Sequence, residues 1–145
     1  MYNFVDKKFK QFYADLSKDV EKAKTFYDDN LSDYYKWKCA KHAYLSEEFI
    51  RGCLQSPLDL AKGFSLILKN NESKDYDIRD VYILLDILHN CKQFYNTIKP
   101  HLIHSARNCR NYWYAHLKKS EISDSDFTPY AVDLKALIFV LRNAK

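Results

Sequence analysis

At 145 residues the chain has the length of one domain and can bury a single core. Hydrophobic residues are 47% and charged residues 29%, which excludes a disordered chain, while two glycines and three prolines are too few for an all-β protein full of tight turns. The net charge of +4 is compatible with a polyanionic partner without requiring one.

The four cysteines (Cys39, Cys53, Cys91, Cys109) form no C-x-x-C pair, which argues against a zinc knuckle and offers no disulfide framework. The opening Met-Tyr-Asn-Phe-Val-Asp-Lys-Lys lacks the apolar core of a signal peptide, and no run approaches the length of a membrane span. The expectation is a reduced, soluble, intracellular protein, cytoplasmic or nuclear, with no membrane association and no cofactor.

In chain order, Val5, Phe9, Phe12, Leu16, Val20, Ala23 and Tyr27 recur at helical spacing and predict a first helix over 4–29. A less regular helical region over 32–55 breaks near Ser46, an N-cap ahead of Glu47 and Glu48. Ser56-Pro57 starts another helix, carrying Leu60, Phe64, Ile67 and Leu68. Residues 70–77 read as a loop. Asp77 is then expected to cap a helix with Val81, Leu84, Leu85, Leu88, Cys91 and Tyr95 inward.

Pro100 should break or kink the chain before a helix over roughly 101–119. Residues 120–126 read as polar loop, and Thr128-Pro129 opens a last helix with Ala131, Leu134, Leu137, Ile138 and Leu141 on one face. The prediction is all-α: a single-domain bundle of about five to six helices, with the 4–29 helix packed on a core of 32–143.

The chemistry concentrates in Arg107-Asn-Cys-Arg-Asn-Tyr-Trp-Tyr-Ala-His116. On a helix, Ile103, Ala106, Trp113 and Leu117, joined by Leu102 and Cys109, form an apolar stripe with Arg110 at one edge and His116 at the other. An arginine fork suits a phosphate and a histidine moves protons near neutral pH. Together they suit attack of a ribose 2′-hydroxyl on its own phosphate without a metal, with Asn111 orienting the phosphate or the imidazole. Six residues place Arg110 and His116 about 120° apart on an ideal helix, so one helix presents them poorly as a dyad. Two copies crossing about a two-fold axis bring the Arg of one toward the His of the other, which predicts a homodimer through 101–119.

Arg110-Asn111-x-x-x-x-His116 resembles the signature of HEPN domains (higher eukaryotes and prokaryotes nucleotide-binding). The five-residue spacer and the ending Tyr-Ala-His are closest to the branch typified by the DAZ-interacting zinc-finger protein. That branch is also similar in the aliphatic-rich helix after Asp77 and in the acidic Asp-x-Asp-Phe segment at 124–127. The resemblance covers roughly 45–143 and implies a helical bundle that dimerises through the motif helix. In catalytic members it implies metal-independent RNA cleavage, with Arg110, Asn111 and His116 as the matching residues. The bulky Tyr112-Trp113-Tyr114 within the spacer departs from the pattern. Inactive members serve as dimerisation or protein-interaction modules in RNA-related or immune complexes, so that alternative stands beside catalysis.

Arg107, Lys118 and Lys119 supply the charge of a phosphate track for single-stranded RNA, with Tyr112 as a further RNA contact; the plain alternative is a solvated helix face. Arg110 and His116 also admit a plain reading as an edge-of-core pair. Tyr34-Tyr-Lys-Trp-Lys38 with Lys41 has the composition of a base-stacking platform, or of a helix stripe of Trp37, Ala40 and Tyr44 flanked by extended lysines. His101 and His104, near Cys91 and Cys109, lack a full ligand set at known spacing, so no metal is expected. His42 and His89 read as surface or core-edge histidines.

Overall fold

The computed structural model describes residues 1–39, 46–70, 77–116 and 124–144. The described residues are helical and contain no strand, so the all-α class holds. They form nine α-helices, more than the five to six predicted: α1 (Tyr2–Leu16), α2 (Val20–Asn30), α3 (Asp33–Lys38), α4 (Glu47–Cys53), α5 (Pro57–Lys62), α6 (Leu66–Asn70), α7 (Val81–Asn90), α8 (Pro100–His116) and α9 (Asp124–Asn143). The chain divides into two compact units, Met1–Gln93 and Phe94–Lys145.

The extra helices come from capping side chains inside stretches whose apolar rhythm looks continuous. The helix predicted over 4–29 is two helices, because Ser17 and Lys18 take the left-handed conformation and Asp19 restarts the chain by accepting from the Lys22 N–H at 3.1 Å. The helix predicted from Ser56-Pro57 likewise splits. α5 ends at Lys62, and Ser65 Oγ accepts from the Leu68 N–H at 3.1 Å to open α6. Ser46 caps α4 as expected, accepting from Phe49. The cap of α7 is Asp80, not Asp77: its carboxylate accepts from the Tyr82 N–H at 2.7 Å, while Asp77 serves a turn at Arg79.

Within the first unit, α1 packs on α5 and α7, α4 on α2 and α5, and α6 on α7. Its core is aromatic. Phe64 meets Phe9, Phe26 and Tyr27 with ring centroids 5.6, 5.9 and 4.8 Å away. The phenols in this core find acceptors, as burial requires: Tyr27 donates to the Leu60 carbonyl at 2.6 Å and Tyr35 to the Gly63 carbonyl at 2.8 Å. On α7, Leu84, Leu85 and Leu88 are buried as predicted, Cys91 is buried just past the helix end, and Val81 is exposed.

One buried polar network ties the segments together. Asp86 accepts from Ser65 Oγ (2.9 Å), the Ile67 N–H (3.2 Å) and Asn90 Nδ2 (3.0 Å). Asn90 Oδ1 in turn accepts from Ser32 Oγ at 2.9 Å. Next to it, Leu31 and Cys91 form an isolated antiparallel bridge.

In the second unit α8 packs against α9. The last helix begins at Asp124 rather than at Thr128-Pro129, so the segment 124–126 expected as loop is its first turn. Acidic residues near a helix N-terminus favour that start electrostatically. On α9 Leu137 is buried, Leu134 and Leu141 are half-buried and Ile138 is exposed, so the predicted apolar face is only partly covered. All four cysteines are free thiols. Among the described residues no helix is long and apolar enough to cross a membrane.

Candidate functional site

The expected break precedes the motif helix, with Pro100 itself the first residue of α8, a position where its missing N–H has no partner to lose. The helix then runs without interruption to His116. It therefore carries Arg110, Asn111 and the His116 backbone on one rigid element. The remainder of the predicted 101–119 helix, with Leu117, Lys118 and Lys119, lies outside the described residues, as do the side chains of 113–116.

The described part of the predicted apolar stripe is buried: Leu102, Ile103, Ala106 and Cys109 are all inaccessible. These four side chains are covered within the single chain. Ser105 Oγ on this helix donates to Asp133 Oδ2 of α9 and fixes the pairing of the two.

Arg107, Arg110 and Tyr112 are half-buried, and Asn111 is exposed. Arg110 lies beside the buried stripe, where its Nη1 donates to Asn111 Oδ1 at 3.4 Å. This neighbour contact joins two of the three expected motif residues. The opposite side of α8 is a polar row of His101, His104, Asn108 and Asn111, all exposed. Their spacing of three, four and three residues was a signal in the sequence, hidden because the apolar stripe drew the reading to the other face. Among the described residues no three metal-ligating side chains gather.

In the first unit, Trp37 is exposed and Tyr35 is the buried aromatic of α3, so Trp37 does not belong to a buried stripe. Ala40, Lys41, His42 and Tyr44 lie outside the described residues. A groove along α1 and α2 has Phe12, Leu16 and Phe26 in its lining and Asp15, Glu21 and Asp29 against the single cation Lys22. Its acidic balance is the wrong sign for a phosphate chain.

No family model, curated protein or solved structure matches this chain.

Proposed function

We infer that the chain is an RNA-binding domain of the HEPN type, acting as a dimeric, metal-independent endoribonuclease. The observation that carries this reading is the Arg110–Asn111 contact in the penultimate part of an uninterrupted helix that ends at His116. A rigid helix keeps the spacing of the motif fixed, as positioning for catalysis demands.

The reaction proposed is transesterification. The 2′-oxygen attacks the adjacent phosphorus and gives its proton to His116; the bond to the 5′-oxygen breaks, and that oxygen takes a proton from water as it leaves. The products are a 2′,3′-cyclic phosphate and a 5′-hydroxyl. Arg110 holds the negative charge of the pentacoordinate state, and Asn111 orients the phosphate or the imidazole. Arg107 and Tyr112, with Lys118 and Lys119, follow the strand on either side.

Purified protein incubated with single-stranded RNA in EDTA should yield cyclic-phosphate ends. His116→Ala should lower the rate by about 10²–10⁴-fold. Neutralising Arg107 should reduce the salt slope of RNA binding by roughly 0.7. Absence of cleavage across varied RNAs sinks the catalytic reading.

A second reading, a catalytically silent module that dimerises or docks a protein, draws support from α9. Val132 and Phe139 there are 70% and 68% exposed, with Ile138 beside them. An exposed apolar row of this kind commonly marks an interaction surface. Under that reading Phe139→Asp abolishes self-association or partner binding, and His116→Ala changes nothing.

A further inference from the structure

The short helix α3 is fixed from inside by one residue. Tyr35 is fully buried; its hydroxyl donates to the Gly63 carbonyl, and its N–H donates to Ser32 Oγ at 3.1 Å. With Tyr35 held inward, a turn of about 100° per residue puts Trp37 about 160° away from it, Tyr34 about 100° and Lys38 about 60° on the same flank, so the three share an arc of roughly 100° beside the buried ring. The exposures follow: Trp37 is 75% exposed and Tyr34 46%.

These side chains form an ordered group. The Tyr34 and Trp37 rings lie 6.3 Å apart at 44°, and His89 from α7 meets the Tyr34 ring edge-on at 6.0 Å. The Lys38 ammonium sits 4.8 Å from the Trp37 ring centre and 5.7 Å from that of Tyr34. Lys92 is close by, bridged to Asp33 at 3.3 Å. Among the described residues Lys38 pairs with no carboxylate. Lysines in the last turn suit the helix dipole, but that does not account for a tryptophan left in water.

We propose that Tyr34, Trp37 and Lys38 form a stacking platform for unpaired bases of a single-stranded nucleic acid. An open indole face takes any base, and a neighbouring ammonium already at the ring can turn to the phosphate that follows. The pairing of π-surface with cation is complementary to a base and its phosphate together. A protein hot spot is instead ringed by contacts that exclude water. Here the flanks are Asp33, Lys38 and Lys92, charged and solvated. The platform belongs to the unit Met1–Gln93 and uses none of the motif residues, so it stands whether or not the chain cleaves RNA.

The test compares wild type, Trp37→Leu and Trp37→Phe by fluorescence anisotropy at fixed low salt. The probes are a short labelled RNA strand, its DNA counterpart, the RNA duplex and an abasic strand of equal charge. Trp37→Leu should weaken binding of both base-bearing single strands by about 5- to 150-fold, while Trp37→Phe keeps most of the affinity. Duplex and abasic strand should bind weakly and be indifferent to the substitution. A preference for RNA over DNA lost in Trp37→Leu makes the platform RNA-selective; equal losses on both make it blind to the sugar.

Since Trp37 is exposed, the variants should melt as wild type does. The DNA strand has no 2′-hydroxyl to attack, so its loss of binding in Trp37→Leu separates failure of this proposal from failure of the cleavage reading. Equal binding by Trp37→Leu and wild type overturns the proposal. So does a Trp37→Leu change in sedimentation without a change in strand binding, which assigns the patch to contact between copies.

Discussion

Of the two glycines, Gly63 is the one without room for a side chain. A Cβ placed there would lie 2.3 Å from Tyr27 Oη and 2.8 Å from Cys53 Sγ. Tyr27 cannot retreat without stretching its hydrogen bond to Leu60, so Gly63→Ala should destabilise by about 2–3 kcal/mol, read from urea unfolding. Gly52, inside α4, is open: a Cβ added there would meet nothing within 4 Å, and Gly52→Ala should stabilise by about 0.5–1 kcal/mol. Like signs for the two substitutions would contradict this packing. The same core governs behaviour at high pH. Burial pushes the Cys91 thiol up to about 12 from its ordinary 9.0, and pushes the Tyr27 and Tyr35 phenols above their ordinary value. Below pH 9 the thiol is protonated in both states and contributes no pH dependence. Above it the unfolded chain loses the proton first, so stability should fall between about pH 9 and pH 12, by at most ~1.4 kcal/mol per pH unit from this one group. A urea midpoint that stays level from pH 8 to 11 would refute the assignment, and Cys91→Ala should flatten the slope.

At the scale of elements, Asp86 decides how α7 holds its neighbours. Its carboxylate serves Ser65, Ile67 and Asn90, and its residue is 1% exposed. Asp86→Ala strands three donors in the interior and should cost about 2–4 kcal/mol, with Asp86→Asn less damaging because one amide oxygen remains. Stability within error of wild type would mean that water replaces the carboxylate. Asp86 also shows where the sequence was legible. Apolar spacing along α7 says nothing of its role, since Ser65 and Ile67 lie 21 and 19 residues away in no pattern and only Asn90 is within a helical turn. Periodicity found the buried Val5, Phe9, Ala23 and Tyr27, and the start signals at Ser46 and Ser56. It missed the breaks at Ser17-Lys18 and Gly63-Phe64, because apolar spacing runs on across a short reversal of the chain. On α8 the buried stripe of Leu102, Ile103, Ala106 and Cys109 was legible from spacing. That the chain itself would cover it was not, since one helix does not reveal which surface its partner takes.

For the whole molecule, a net charge of +4 gives long-range attraction to a polyanion, and neither the acidic groove along α1 and α2 nor the exposed row on α9 uses it. The proposed chemistry sits on α8 and the proposed base stacking on α3. In the proposed dimer, Arg110 of one copy and His116 of the other work on the same phosphate. The direct measurement mixes two inactive variants, Arg110→Ala and His116→Ala, and follows RNA cleavage in EDTA. Each alone should be down by about 10²–10⁴-fold. In a random mixture half of the dimers are mixed, and each mixed dimer has one site with both residues intact. The mixture should therefore recover about a quarter of wild-type activity. A mixture as inactive as its components, beside an active wild type, would contradict a site shared between copies.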